Sequence, residues 1–175
     1  NAGTNLGWQG AINKGIENTN NPYVMFLNDD VHILSNDGEW LSKLVGLMEF
    51  DETIGAVGPK SNCVMGTQGF WYQTPIIFEN EVLIGFCMLT KRSIIEKIGM
   101  LDESLTGGDD LDFSIRVKDA GYKLIVRGDV FVYHHGFKTG ERLHGAYWNS
   151  TEQTDITNKE LIQKHGFLKY KKTRE

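Results

Sequence analysis

Three short stretches of the sequence concentrate side chains able to do chemistry: "NDDVH" at 28–32, "GGDDLD" at 107–112 and "YHHG" at 133–136. The first follows the apolar run "YVMFL", so Asp29 and Asp30 stand where a buried strand ends, flanked by Asn28 and His32. In open α/β sheets ligands bind beyond the carboxyl ends of strands, which is where the first and third stretches fall. Asp29, Asp30 and His134 offer two carboxylates and an imidazole, a donor set suited to Mg²⁺ or Mn²⁺ when phosphate and water complete the shell. A plain turn of Asn and Asp accounts for the same carboxylates equally well. His32 reads as a partly exposed strand histidine.

The middle stretch opens a helical pattern with Asp109, Asp110 and Asp112. A carboxylate suits the positive end of a helix dipole, so Asp109 or Asp110 could be a cap. Three carboxylates in four positions exceed what capping needs, and the excess charge suits cation binding or general-base work. The pattern leaves both readings open.

These groups need a frame. From Gly7 to Asn18, Trp8, Ala11, Ile12 and Ile16 recur at helical spacing behind Asn5, a nearby cap. "YVMFL" is a strand apolar on both faces. A helix over 38–50 carries Trp40, Leu41, Leu44, Val45 and Leu47, and "IGAVGP" is a strand ended by Pro59. Residues 60–80 lack periodicity and read mostly as loop. "EVLIGFCMLTK" is a strand whose Gly85 permits close approach of a ligand. "RSIIEKIG" is a helix closed by Gly99, and the helix through "DDLD" is closed by Gly121. "KLIV" and "VFVYHH" read as two further strands. Residues 136–154 are polar and irregular, and a last helix starts at the capping box "TNKE", Thr157 to Glu160, ending near Gly166. Alternating helices and strands predict an α/β fold with a mainly parallel central sheet.

At 175 residues and 40% apolar content, the chain supports one domain, 1–175. A formal net charge of -5 without a long basic run argues against a nucleic-acid polymer as partner, though not against a nucleotide. Cys63 and Cys87 form no CxxC pair and read as buried thiols in a reducing compartment. The longest apolar stretch, 82–89, is far short of the roughly 20 residues that span a bilayer. The opening "NAGTNLGWQG" has neither an initiator Met nor a signal core, and reads as a beginning that has been cut.

Taken in order, "NLGWQGAINKGI", "VMFLNDDVHI", "GFCMLTKRSIIEKIGMLDESL", "GDDLDFSIRVKDAGYKL" and "VFVYHHG" resemble inverting glycosyltransferase family 2, which has the GT-A (nucleotide-diphospho-sugar transferase) fold. The likeness covers about residues 5 to 137 and is nearest the rhamnosyltransferase-like members. It implies that "NDD" is the DxD-type motif, with Asp30 a metal ligand and Asn28 and Asp29 near the donor. It implies that Asp109 and Asp110 are the catalytic pair, with Asp110 the base. His134 then completes metal coordination, His135 being the one-residue alternative, and Gly85 is the small residue beside donor sugar and acceptor. Asn5, Gly7, Asn13 and Gly15 match the preceding helix, mainly for packing, with Asn13 a further donor-site candidate. Residues 136–154 become a flexible active-site loop in which Lys138, Arg142 and His144 could close over the diphosphate, and 155–175 a C-terminal helix and tail.

The implied reaction is a single displacement, metal-dependent through Mn²⁺ or Mg²⁺. A nucleotide-diphospho-sugar donor gives its sugar, with inversion, to a glycan or glycolipid acceptor. The QxxRW motif of processive synthases is absent, which implies one sugar per encounter. The resemblance implies a cytoplasmic protein, at most peripheral to a membrane. Family members begin with a strand–helix–strand segment for the nucleotide base, so the expectation is an N-terminally truncated domain whose exposed sheet edge could pair with a second copy. Two rivals stand beside this reading. A non-catalytic remnant acting as a binding module would not need Asp30, Asp110 and His134 together, and a metal-dependent phosphoesterase would not need the ordered motifs.

Overall fold

A computed structural model describes residues 3–34, 38–69, 74–136 and 150–174. Helix α1 spans Gly7–Glu17, and Asn5 Oδ1 accepts the Gly7 N–H at its start, at 2.9 Å. Strand β1, Tyr23–Leu27, leads through the Asn28–Asp30 turn into the short strand β2, Val31–Ile33. Helix α2, Glu39–Phe50, and strand β3, Ile54–Lys60, follow. A 3₁₀ turn at Gly66–Gln68 precedes β4, Ile77–Asn80, and β5, Cys87–Lys91. Then come α3, Arg92–Ile98, α4, Asp109–Asp119, and the long strand β6, Lys123–His134. Helices α5, Thr151–His165, and α6, Phe167–Lys172, complete the described elements.

The strands form one sheet in the order β1-β5-β3-β6-β2, with β4 also paired to β6. Successive residues of the central strands point to opposite sides, as the period of two requires. Ala56, Met88 and Leu124 pack with Phe26 and Phe113 in one apolar layer, with Trp8 and Ile12 of α1 against it. Val57, Leu89 and Ile125 pack with Leu44 and Met48 of α2 in the other. This two-sided burial is why the strands are continuous apolar runs, and every residue of β3 is buried.

The α/β class is as expected, but the sheet is not mainly parallel. Among the described pairings only β3 with β6 is parallel, and the other four are antiparallel. The expectation failed at β5 and at the two strands β2 and β4, which run antiparallel to β6. Helical crossovers do make β1, β3 and β6 run the same way, but β5 inserts between β1 and β3 in the reverse direction.

Four local readings are also corrected. The span 60–80, read as loop, contains β4, an edge strand with an alternating exposed and half-buried pattern too short to stand out. The stretch from Glu81 to Phe86, read as strand, has no strand pairing, and β5 starts at Cys87. "KLIV" and "VFVYHH" are one strand: Gly128 pairs with Thr74 and Ile76 through backbone bonds of 2.8 and 2.9 Å. Arg127 Nε donates to Asp129 Oδ1 at 2.9 Å across the same irregularity. The residues that looked like a turn are a bulge, marked by a register shift against Pro59 and Lys60. The last helix begins at Thr151 rather than at "TNKE", because Ser150 Oγ caps it by accepting from Gln153 N at 3.1 Å.

Candidate active site

Two polar groups meet on either side of the unpaired segment Leu83–Phe86. On one side, the turn after β1 brings Asp30 Oδ1 to 3.1 Å from His134 Nε2 at the end of β6. Pairing of Val31 with His134 fixes that register, and the His135 N–H donates to the Asp30 carbonyl at 2.9 Å. His134 is held from behind. Its Nδ1 lies 2.8 Å from the Cys63 carbonyl, which can only accept, so Nδ1 carries a proton and Nε2 is the nitrogen turned to Asp30. Asn28 Nδ2 lies 3.1 Å from Nε2. Asn62 clamps the backbone of His134 with bonds of 2.8 and 3.0 Å, and the ring stacks on Phe86.

This pair suits a divalent cation. Asp30 Oδ1 is buried without a hydrogen-bond partner, a costly state for a carboxylate oxygen unless a cation meets it. An imidazole held by a hydrogen bond from one nitrogen to a backbone carbonyl, with the other nitrogen turned to a carboxylate, has the usual orientation of a metal-ligating histidine. Among the described residues no three His, Cys, Asp or Glu side chains gather as a metal cluster. Asp30 and His134 would therefore supply two ligands and leave the others to phosphate and water, as Mg²⁺ commonly accepts.

On the other side stands the carboxylate pair at the start of α4. Asp110 Oδ2 accepts the Gly85 N–H at 3.2 Å, and its Oδ1 accepts the Leu111 N–H at 2.9 Å. Asp109 accepts a hydrogen bond from the Trp8 indole. Burial and the Asp110 charge push Asp109 up to about 7. Burial raises Asp110 as well, against the opposing pull of the Gly85 and Leu111 amides and the Arg174 guanidinium. Two neighbouring, half-buried carboxylates resist joint ionisation, so one holds its proton near neutrality.

The connecting segment is tied down residue by residue. Leu83 N donates to Ser114 Oγ at 3.1 Å, Ile84 N to Gln68 Oε1 at 2.8 Å and Gly85 N to Asp110. Asp110 and Ser114, four apart on α4, share the face that grips it. Phe86 returns to the Asp30 and His134 side, where its carbonyl accepts the Asn28 N–H at 2.9 Å. A Cβ on Gly85 would sit 3.5 Å from the Asp110 Cβ and 3.8 Å from the Trp8 ring. Gly85→Ala is thus expected to fold normally and yet reduce the sugar transfer proposed below about tenfold or more, because its methyl occupies the gap between the Asp110 carboxylate and the Trp8 indole. Thermal melting and turnover, measured together, check this.

The expected site residues divide clearly. Asn28, Asp30 and His134 come together, as do Gly85, Asp109 and Asp110. Asp29 and His32 are exposed. His135 is exposed and packs edge-on against Tyr133, so His134 is the histidine that faces Asp30. Asn13 is buried, with its amide bonded to the backbone of Leu101 and to Glu103. Lys138, Arg142 and His144, with most of the 136–154 loop, lie outside the described residues.

Asp112 belongs elsewhere. Its carboxylate is fully buried, taking Arg116 Nε at 2.9 Å on Oδ2, and Lys164 Nζ and His165 Nε2 at 2.7 Å on Oδ1. It binds α5 to α4. Beside it Gly108, at a φ of 67°, touches α5 so closely that a Cβ would lie 2.8 Å from Leu161. Trp8, Phe86, Asn62, Gln68 and Ser114 escaped the sequence reading as site residues. Only Ser114 had a local signal, its helical spacing from Asp110.

Comparison with solved structures defines the class of fold. The chain superposes on GalNAc-T7 with UDP, GalNAc and Mn²⁺, with a TM-score of 0.60 and 15% identity over 74% of this chain and 30% of that one. It matches mannosyltransferase PcManGT from Pyrobaculum calidifontis in complex with GDP-Man and Mn²⁺ at 0.55 and 18% identity, over 93% of this chain and 56% of that one. TarS from S. aureus gives 0.55 and 14% identity, over 94% and 53%. The architecture is the GT-A glycosyltransferase fold. The sequence matches the glycosyl transferase family 2 profile over residues 1–108, and the chain belongs to that family. The uncharacterized protein y4gI of Sinorhizobium fredii is 25% identical over 150 residues, 70% of this chain and 16% of that protein. The chain thus spans less than two thirds of each of these relatives. No helix among the described residues is long and apolar enough to cross a membrane.

Proposed function

We propose that this chain carries the catalytic centre of an inverting, metal-dependent sugar transfer from a nucleotide-diphospho-sugar to an acceptor hydroxyl. One sugar is added per encounter. The observation that carries the reading is the bridging of two half-sites by Leu83–Phe86. Phe86 lies against the Asp30 and His134 pair, and Gly85 holds Asp110. In this reading Asp110 takes the proton of the acceptor hydroxyl as the oxygen attacks the anomeric carbon. Asp109, its pKa raised, keeps the pair from doubly ionising, and Trp8 holds it in place. Asn28 and Asp29 face the donor, and Asp30 and His134 hold Mn²⁺ or Mg²⁺. The metal, when bound, offsets charge on the departing nucleoside diphosphate.

Hexose or rhamnose is the proposed sugar class, and a glycan or glycolipid the proposed acceptor, in the cytoplasm. Pairing with a second copy through the edge of β1, which among the described residues pairs only with β5, belongs to the same reading. Calorimetric titration with Mn²⁺ and a panel of nucleoside diphosphates tests the donor side. The expected result is metal-dependent binding that Asp30→Ala weakens about a hundredfold or more, since even indirect supports of a metal site cost 10–100-fold. Equal binding by the variant, or binding indifferent to the metal, would overturn the metal assignment.

A further inference from the structure

Helix α6 holds a charge pattern opposite to that of the whole chain. Between Gly166 and Arg174 stand Lys169, Lys171, Lys172 and Arg174 and no carboxylate, in a chain whose formal net charge is -5. Helix α6 lies along α4. Lys169 Nζ reaches Asp119 at 2.6 Å near one end, Tyr170 packs with Leu111, and the Arg174 guanidinium acts on Asp110 at the other. With that side of α6 turned to the protein, Phe167 and Leu168 are left in solvent, 59% and 76% exposed. Lys171 and Lys172, both exposed, follow on the same short helix.

We propose that the outer face of α6 is a docking surface for an anionic lipid bilayer. Adjacent apolar side chains ringed by lysines are what an interfacial helix presents. The apolar pair enters the headgroup region while the cations meet anionic lipids. A nucleic-acid polymer would use the cations and leave Phe167 and Leu168 in water, so the combination favours lipid. Because α6 rests on the helix that bears Asp110, a bilayer on this face would run beside the proposed base. Resting on the transfer reading above, this makes the acceptor a lipid-linked one; the docking itself does not depend on that reading.

The test is co-sedimentation of the full chain with vesicles of phosphatidylcholine alone, or with one third phosphatidylglycerol, at low and high salt. Binding is expected only with the anionic lipid and is weakened by salt. The double variants Phe167→Ser with Leu168→Ser, and Lys171→Glu with Lys172→Glu, are each expected to weaken it about tenfold or more. All four side chains are exposed, so unchanged circular-dichroism melting will show that both variants fold. Absence of binding by the native chain, or binding unchanged in both variants, overturns the proposal. So does binding to a DNA duplex as tight as to vesicles and indifferent to Phe167 and Leu168. Calorimetry of the donor site is independent of all these outcomes, so failure here and failure of the transfer reading are distinguishable.

Discussion

Asp110→Asn is expected to lower the rate of sugar transfer about 10²–10⁴-fold, the ordinary contribution of a positioned general base, without costing the protein its fold. The amide still offers its one oxygen to the Gly85 N–H, at the loss of the Leu111 N–H bond, and α4 keeps its packing through Leu111, Phe113 and Val117. Stability should move the other way from activity. Burial raises both carboxylates of the pair, Asp109 to about 7. A group whose folded pKa lies above its unfolded value binds more protons folded than unfolded between the two, so stability falls as pH rises through that window. Above about pH 7 the native chain therefore carries the cost of ionising the pair. Asp110→Asn, or Asp109→Asn, removes it. Melting temperature measured at pH 5 and pH 8 should rise on substitution at pH 8 and change less at pH 5. Native activity should fall as the pH drops through the raised pKa values. A destabilised variant at pH 8, or a pH-rate profile that is flat down to the ordinary carboxylate range, would sink the assignment of the pair.

Asp112→Ala is expected to cost about 3–5 kcal/mol of stability, the usual penalty for removing one partner of a buried ion pair. Truncation would leave Arg116 and Lys164 facing each other with His165 and no intervening anion. Against the 5–15 kcal/mol typical of a domain, that is a large share. Urea denaturation of native and variant protein measures it, and a loss under about 1 kcal/mol would mean that water replaces the carboxylate freely. The same latch should be sensitive to acid. Lys164, then Ser104, hold Asp102 well below the usual carboxylate range. Burial pushes Asp112 up, but Lys164, Arg116 and His165 outweigh it and the net shift is down. Depressed carboxylates contribute stability that is present above their unfolded pKa, about 4, and is lost as pH falls through the folded values. Docking of α5 should therefore loosen below about pH 4 before the two apolar layers do.

The contrast between Asp110 and Asp112 shows what the sequence could and could not disclose. Three aspartates in "DDLD" looked like one acidic cluster, yet helical geometry sends them to different tasks. Asp110 turns to Gly85, and Asp112, two residues on, turns to α5 more than 50 residues away. Helices were legible because apolar spacing and closing glycines are local signals. β1 and β3 were legible because burial on both faces makes unbroken apolar runs. Strand direction was not, because the reversal of β5 depends on where the chain returns, and no local pattern encodes that. The half-sites were visible as polar residues after strands, and Gly85 as a glycine with no turn to explain it. What joins them was not, because Phe86, Gln68 and Asn62 are unremarkable residues whose roles arise from long-range contact.

Strand β6 gives the fold an order in time. It is the last strand among the described residues, yet it pairs with β2, β3 and β4, and among those residues β2 and β4 have no other strand partner. A ribosome adds about 5–20 residues per second. For the seconds between synthesis of β4 and release of His134, those strands and one edge of β3 have no mate. The nascent chain is then at its most adhesive, and the residue that ends this interval also brings the imidazole to Asp30.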